Sequence, residues 1–106
     1  MTLVDEGAPE FEYDLRLLPR GRFTFRRWRF ELWHGAVLRA AGWRTSPREA
    51  ERALGKAAAY WTHEALGVRP PRPDRARALD RFGLGATVRI DCGGVACVLT
   101  PRGWAD

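Results

Sequence analysis

The sequence predicts an α+β domain: an antiparallel sheet of three N-terminal strands packed on one long helix, with a short second helix and a C-terminal β-hairpin. Three observations carry this reading. Apolar and polar residues alternate from Glu10 onward, Ser46-Pro47-Arg48-Glu49 opens a helical pattern over 47–66, and Gly93-Gly94 separates two further alternating runs. At 106 residues a second core would leave each half near the lower limit of independent folding. One domain is therefore expected over 10–106, preceded by a flexible acidic arm over 1–9.

The first strand follows from Phe11, Tyr13, Leu15 and Leu17, which alternate with Glu12, Asp14 and Arg16 in the two-residue period of a half-buried strand. Pro19-Arg20-Gly21 then turns the chain. A second run alternates through Phe23 and Phe25 and changes phase at Arg26-Arg27, so that Trp28, Phe30 and Leu32 carry the apolar side. A bulge at the Arg pair would keep both sets facing one core. His34-Gly35 predicts a tight turn into a third strand, about Ala36 to Arg44.

The long helix has the best-marked ends in the chain. Ser46 supplies the N-cap hydroxyl, Pro47 the first helical position and Glu49 the capping-box carboxylate; Gly67 and Pro70-Pro71 supply the stop. Ala50, Ala53, Leu54, Ala57, Tyr60, Trp61 and Ala65 form its expected packing face. Beyond a Pro-rich link over 68–73, the run Asp74 to Phe82 predicts a short helix anchored by Leu79 and Phe82 and stopped at Gly83. The terminal hairpin puts Val88, Ile90, Cys92, Val95, Cys97 and Leu99 on one face.

Composition bounds the function. Apolar residues make up 45% of the chain, with five Trp, five Phe and two Tyr, enough for a core without metal or disulfide staples. No run approaches the ~20 apolar residues of a membrane span, and the start lacks the basic-then-apolar order of a signal peptide, so a cytoplasmic location and no membrane partner are expected. The net charge of +5 is unevenly distributed. Asp5, Glu6, Glu10, Glu12 and Asp14 precede the first base, Arg16, and the body that follows is strongly basic, a balance that attracts polyanions.

Enzyme chemistry finds little support. Cys92 and Cys97 lack the further ligands of a zinc set and read as buried thiols, and His34 reads as a turn residue. Ser46 is occupied by capping. Glu10, Glu12 and Asp14 alternate along one strand instead of converging, and read as an acidic arm or edge that discourages aggregation or covers the basic body. Neither a catalytic set, a cofactor nor a metal is expected.

The basic and aromatic stretch from Arg20 to Phe30 carries the most suggestive chemistry, because guanidinium groups hold phosphates while aromatic rings stack on unpaired bases. Arg22, Thr24 and Arg26 share the face opposite Phe23 and Phe25. The same pattern suits an amphipathic strand whose aromatics are core and whose arginines are solvated. Arg48, Arg52 and Lys56 form a helix ridge at four-residue spacing, flanked by Glu49 and Glu51, which reads either as a phosphate track or as a solvated face.

The segment from Trp28 through Leu54, in which strands meet at a small-residue turn and Thr45-Ser46 caps a helix containing Glu49-Ala50, resembles a recurring three-strand plus helix design. It looks like the DNA-binding domains of tyrosine-recombinase arms and of plant ethylene-response factors, and is similar, at least as much, to small bacterial stress-associated β-β-β-α domains of unestablished function. The match covers about a quarter of the chain. Those DNA-binding relatives read DNA with the exposed sheet face. The resemblance therefore implies contacts from Arg22, Arg26, Arg27, Arg29, Arg39 and Arg44, with Trp33 and Trp43 open to either a core or a recognition role. The expected function is nucleic-acid binding through an Arg-rich sheet face. A protein-interaction module, or a homodimer with no nucleic-acid role, is the alternative.

Overall fold

Burial alternates along strand β1 (Glu10–Leu17) as the sequence period requires, with Phe11 and Tyr13 buried and Glu12 and Asp14 on the opposite side. β1 opens the fold in the computed structural model, which describes residues 8–67, 76–78, 82, 86–92 and 95–102. Strands β2 (Trp28–His34) and β3 (Val37–Arg44) complete an antiparallel meander, joined at Gly35, whose φ of 62° lies where glycine carries no Cβ penalty. Helix α1 (Pro47–Leu66) crosses one face of the sheet. Strands β4 (Ala76–Ala78), β5 (Val88–Cys92) and β6 (Ala96–Pro101) follow.

The six strands form one sheet in the order β3-β2-β1-β6-β5-β4. All neighbours are antiparallel except β1 and β6, which run parallel with Glu10 beside Val98 and Tyr13 beside Pro101. The sheet is thus mixed, and the hairpin of β5 and β6 extends it. Hydrogen bonds from Val98 N to Pro9 O (3.0 Å) and from Arg102 N to Tyr13 O (2.8 Å) continue the parallel ladder at both ends. Glu12 and Asp14 consequently stand in the middle of the sheet, and the expectation that they form an acidic edge is corrected.

The second helix expected over Asp74 to Phe82 is overturned at Ala76–Ala78, which form a strand; Asp74, its anchor Leu79 and its stop Gly83 lie outside the described residues, among which α1 is the only helix. Ala76, Arg77 and Ala78 instead pair with Cys92, Asp91 and Ile90 along the outer side of β5. An isolated two-turn helix is marginal because its nucleus fixes several dihedrals for one hydrogen bond, whereas three residues laid on an existing strand meet ready backbone partners. The Pro-rich link 68–73, the arm residues 1–7 and the turn glycines 93 and 94 lie outside the described residues. The register Asp91 to Ala96, with Cys92 N donating to Val95 O at 2.7 Å, closes the hairpin over two residues, as the sequence predicts.

The segment around Phe23 and Phe25 also departs from expectation. The chain leaves the sheet after Leu17, turns at Gly21 and rejoins it at Trp28, with Leu18 N donating to Arg27 O (2.9 Å) to close the loop. The ladder between β1 and β2 ends at this bond, and Phe23 and Phe25 lie beyond it in the loop, outside the sheet and exposed. The predicted bulge at Arg26-Arg27 is therefore replaced by a register shift between Leu32 and Trp33, opposite β3.

Helix α1 starts and stops where its caps predict. Ser46 Oγ accepts from Glu49 N (3.2 Å), and Gly67 closes the C-terminus in the left-handed region. Its buried side is Ala50, Leu54, Ala58, Ala59, Thr62 and His63, while Tyr60 and Ala65 are exposed, a correction to the expected face. Alanines at the contact let the helix lie close to the sheet, and a Tyr there would hold it off. The core joins these residues to Phe11, Tyr13, Phe30, Leu32, Val88, Ile90, Cys92, Cys97 and Leu99. Both cysteines are free and buried, as the sequence predicts.

Candidate nucleic-acid interface

The sheet face not covered by α1 alternates charge sign. Register sets Arg16 beside Arg29 and Asp14 beside Glu31, and alternation turns all four to the open side. Arg29 Nε donates to Glu31 Oε2 (2.9 Å), and Arg16 lies 3.6 Å from Asp14 and 3.9 Å from Glu31. Trp33 Nε1 donates to Glu31 Oε1 (2.9 Å), so both carboxylate oxygens are engaged. Farther along, Arg102 bonds Glu12 (3.1 Å) and lies over the Trp33 ring, 3.9 Å from its centroid. Burial alone would raise Glu31, but hydrogen bonds from Trp33 and Arg29 and the charges of Arg29 and Arg16 outweigh it and hold the pKa below its ordinary value. Asp14 is raised, chiefly by burial and also by the neighbouring Glu31 charge, which Arg16, Arg29 and a backbone hydrogen bond from Leu15 only partly offset.

The arginines nominated for a sheet-face surface stand in several places. Arg29 is in the open-face network, together with Trp33. Arg39 lies over the Trp61 ring of α1, 4.5 Å from its centroid, which puts it on the helix side of the sheet. Arg44 bonds the Trp43 carbonyl (2.8 Å) and lies over Phe30. Arg22, Arg26 and Arg27 belong to the β1–β2 loop, where Arg27 bonds Pro19 O (3.1 Å) and lies 4.2 Å from the Phe23 centroid.

A different grouping emerges at the end of the sheet where β1 and β3 finish, β2 starts and α1 begins. Phe25 in the loop stacks on Trp43 of β3 with centroids 5.8 Å apart and planes 21° from parallel, so the loop and the end of β3 form one surface. The next residue, Arg44, lines a groove of about 180 Å³ with Glu49, Arg52, Ala53 and Lys56. Glu49 is tied to the Ser46 and Thr45 hydroxyls (3.1 Å each). The side chains of Arg20, Arg22, Arg26, Arg52 and Lys56 are exposed and enter no ion pair or hydrogen bond among the described residues. Of this rim, the sequence nominated Arg22, Arg26, Arg27, Arg44 and Trp43. Arg52 and Lys56 were visible as a helix ridge, but their neighbourhood with the loop depends on chain folding.

Buried polar chemistry lies elsewhere, between α1 and the hairpin. His63 Nε2 donates to Cys92 O (2.7 Å), and the Cys92 and Cys97 sulfurs are 3.8 Å apart. The hydrogen bond to Cys92 and burial push the Cys97 thiol up, away from the thiolate a nucleophile needs. Among the described residues no three His, Cys, Asp or Glu side chains gather as a metal site. No helix there is long and apolar enough to cross a membrane. No protein-family model, curated protein or solved structure matches the chain.

Proposed function

We propose that the protein binds nucleic acid through the cationic rim formed by the β1–β2 loop, the end of β3 and the first turns of α1. The observation that carries this reading is that Arg20, Arg22 and Arg26 of the loop, which Phe25 joins to Trp43, and Arg52 and Lys56 of the groove lined by Arg44 stand at one end of the sheet and enter no ion pair or hydrogen bond among the described residues. Cations already tied to carboxylates, such as Arg29 and Arg102, have less to gain from a phosphate, because the new contact must replace an existing one. The unpaired rim cations gain phosphate contacts and release counterions at little cost. The N-terminus of α1 adds its positive dipole end to the same region.

Binding of labelled DNA and RNA across a salt series tests this. Affinity should fall steeply with salt, and each of Arg26→Ala, Arg52→Ala and Lys56→Ala should weaken binding and reduce the slope of log K against log salt by about one per lost phosphate contact. Arg16→Ala should leave both nearly unchanged. No binding at low salt, or rim variants indistinguishable from the parent, sinks the reading.

A second reading rests on β3, whose outer edge carries no neighbour among the described residues and whose Val37 and Leu38 are 49% and 43% exposed. Such an edge accepts a strand from a protein partner or a second copy. A concentration-dependent dimer that is lost on Leu38→Lys and indifferent to nucleic acid favours it.

A further inference from the structure

We infer that the nucleic acid taken by the rim is single-stranded, with an unpaired base stacking on Trp43 at the end of an exposed ladder of rings. The inference rests on the nucleic-acid reading above and adds the form of the ligand. Four planar groups follow one another across the surface. The Arg27 guanidinium lies 4.2 Å from the Phe23 centroid, Phe23 lies 5.3 Å from Phe25, and Phe25 is stacked on Trp43 at 5.8 Å. Phe25 and Trp43 remain 40% and 42% exposed although both are large and apolar. Burying them in the core would have been the ordinary outcome for rings of this size.

Trp33, half-buried on the same side of the sheet, shows what an occupied indole looks like here. Trp33 is capped by Arg102 and its N–H is taken by Glu31, so neither its face nor its donor is available. Among the described residues no cation caps Trp43 and no hydrogen bond takes its indole N–H, and its ring stacks on Phe25. A base extends the ladder in the same way that Trp43 extends Phe25, because every base presents a π-face and stacking on aromatic side chains tolerates any sequence. In a duplex those faces are already stacked on their neighbours, so the platform has nothing to hold unless a base leaves the helix. Arg22 and Arg26, in the loop that carries the ladder, supply backbone contacts beside it, and Arg44, Arg52 and Lys56 line the groove on the helix side of the same sheet end, where the strand continues. An acidic peptide satisfies the charge but offers no row of planes to match the ladder.

The test compares an oligonucleotide of about 12 nucleotides with its own duplex and with an abasic strand of equal length, each as labelled DNA and, for the first two, RNA. The full chain should bind the single strand at least about fivefold more tightly than the duplex or the abasic strand. Trp43→Leu and Phe25→Leu should remove that preference while leaving duplex affinity at the parent level, and Trp43→Phe should keep part of it. Urea unfolding of each variant checks that the fold is intact, which the exposure of both rings leads one to expect. Equal binding of all three ligands, or Leu variants that keep the preference, overturns the stacking inference and leaves the cationic rim standing. Absence of binding to every ligand overturns both, and a dimer in sizing that Trp43→Leu dissociates assigns the ladder to self-association instead.

Discussion

Trp33 donates its indole N–H to Glu31, two residues earlier on the same strand, across 2.9 Å. Because the other Glu31 oxygen holds Arg29, one carboxylate anchors both a tryptophan and an arginine that a sequence reader would offer to DNA. Glu31→Gln should therefore cost about 1.5–3 kcal/mol near neutral pH, the range for hydrogen bonds to a charged group. The folded-state pKa lies below the ordinary 4.5, so the stabilisation is complete above the unfolded value and is lost as pH falls through the folded one. Urea midpoints of parent and variant should differ near neutrality and converge in acid. A gap that persists unchanged in strong acid contradicts this account.

Asp14 carries the opposite sign. Its folded pKa is raised mainly by burial, so the ionised form is less stable in the folded sheet than in the unfolded chain. The relative benefit of the protonated form is present at low pH and is lost as pH rises through the folded pKa. Asp14→Asn should raise the urea midpoint near neutral pH and have little effect in acid. A drop at neutral pH would assign more weight to the 3.6 Å pair with Arg16 than burial allows.

Gly42 lies under the Phe30 ring, where an added Cβ would meet Cζ at 3.0 Å and Cε1 at 3.1 Å. Phe30 is buried and covered by Arg44 and has little room to yield. Gly42→Ala should lower stability by about 1–3 kcal/mol, as overpacking does, despite alanine's lower cost to the unfolded chain. Thermal unfolding measures it, and a raised Tm would show that Phe30 moves freely.

Ser46→Ala should cost about 1 kcal/mol by leaving the Glu49 N–H without its cap. Ser46→Asp should retain most of the stability, because a carboxylate caps the same N–H and suits the helix dipole. Equal losses in both variants would mean that the cap contributes nothing.

Both thiols are fully enclosed, and Cys97 is held protonated by its contact with Cys92 and by burial. A soluble disulfide reagent should modify two thiols per unfolded chain but react with the native protein only as fast as it opens. Rapid labelling in native buffer would place at least one sulfur nearer the surface.

How much of this could be read from residues alone depends on how local each feature is. Strand β1, helix α1 and the register of β5 with β6 are legible because period, caps and a two-residue turn act over a few neighbours. The parallel pairing of β1 with β6 is not, since nothing in Phe11-Glu12-Tyr13 names Leu99, Thr100 and Pro101 as partners. The pairing of Ala76–Ala78 is hidden for the same reason: those residues gain their strand form from β5. At the candidate interface, Arg26 and Trp43 stand out in sequence. The neutralisation of Arg29 by Glu31 is local, two residues apart on β2, but the arrival of Arg16 at the same carboxylate depends on the register that sets β1 beside β2. The exclusion of Phe23 and Phe25 from the sheet is not announced by their own alternation, which suits a strand.

The parallel β1–β6 pair has a mechanical consequence. Tension applied to the chain ahead of Glu10 and beyond Pro101 draws the two central strands past one another in opposite directions along their length. Their hydrogen bonds, including those at Pro9 and Arg102, then bear load together in shear instead of opening one at a time as a zipper. The domain is built to resist being stretched from those two points, and a threading motor pulling on either end meets its strongest obstacle first.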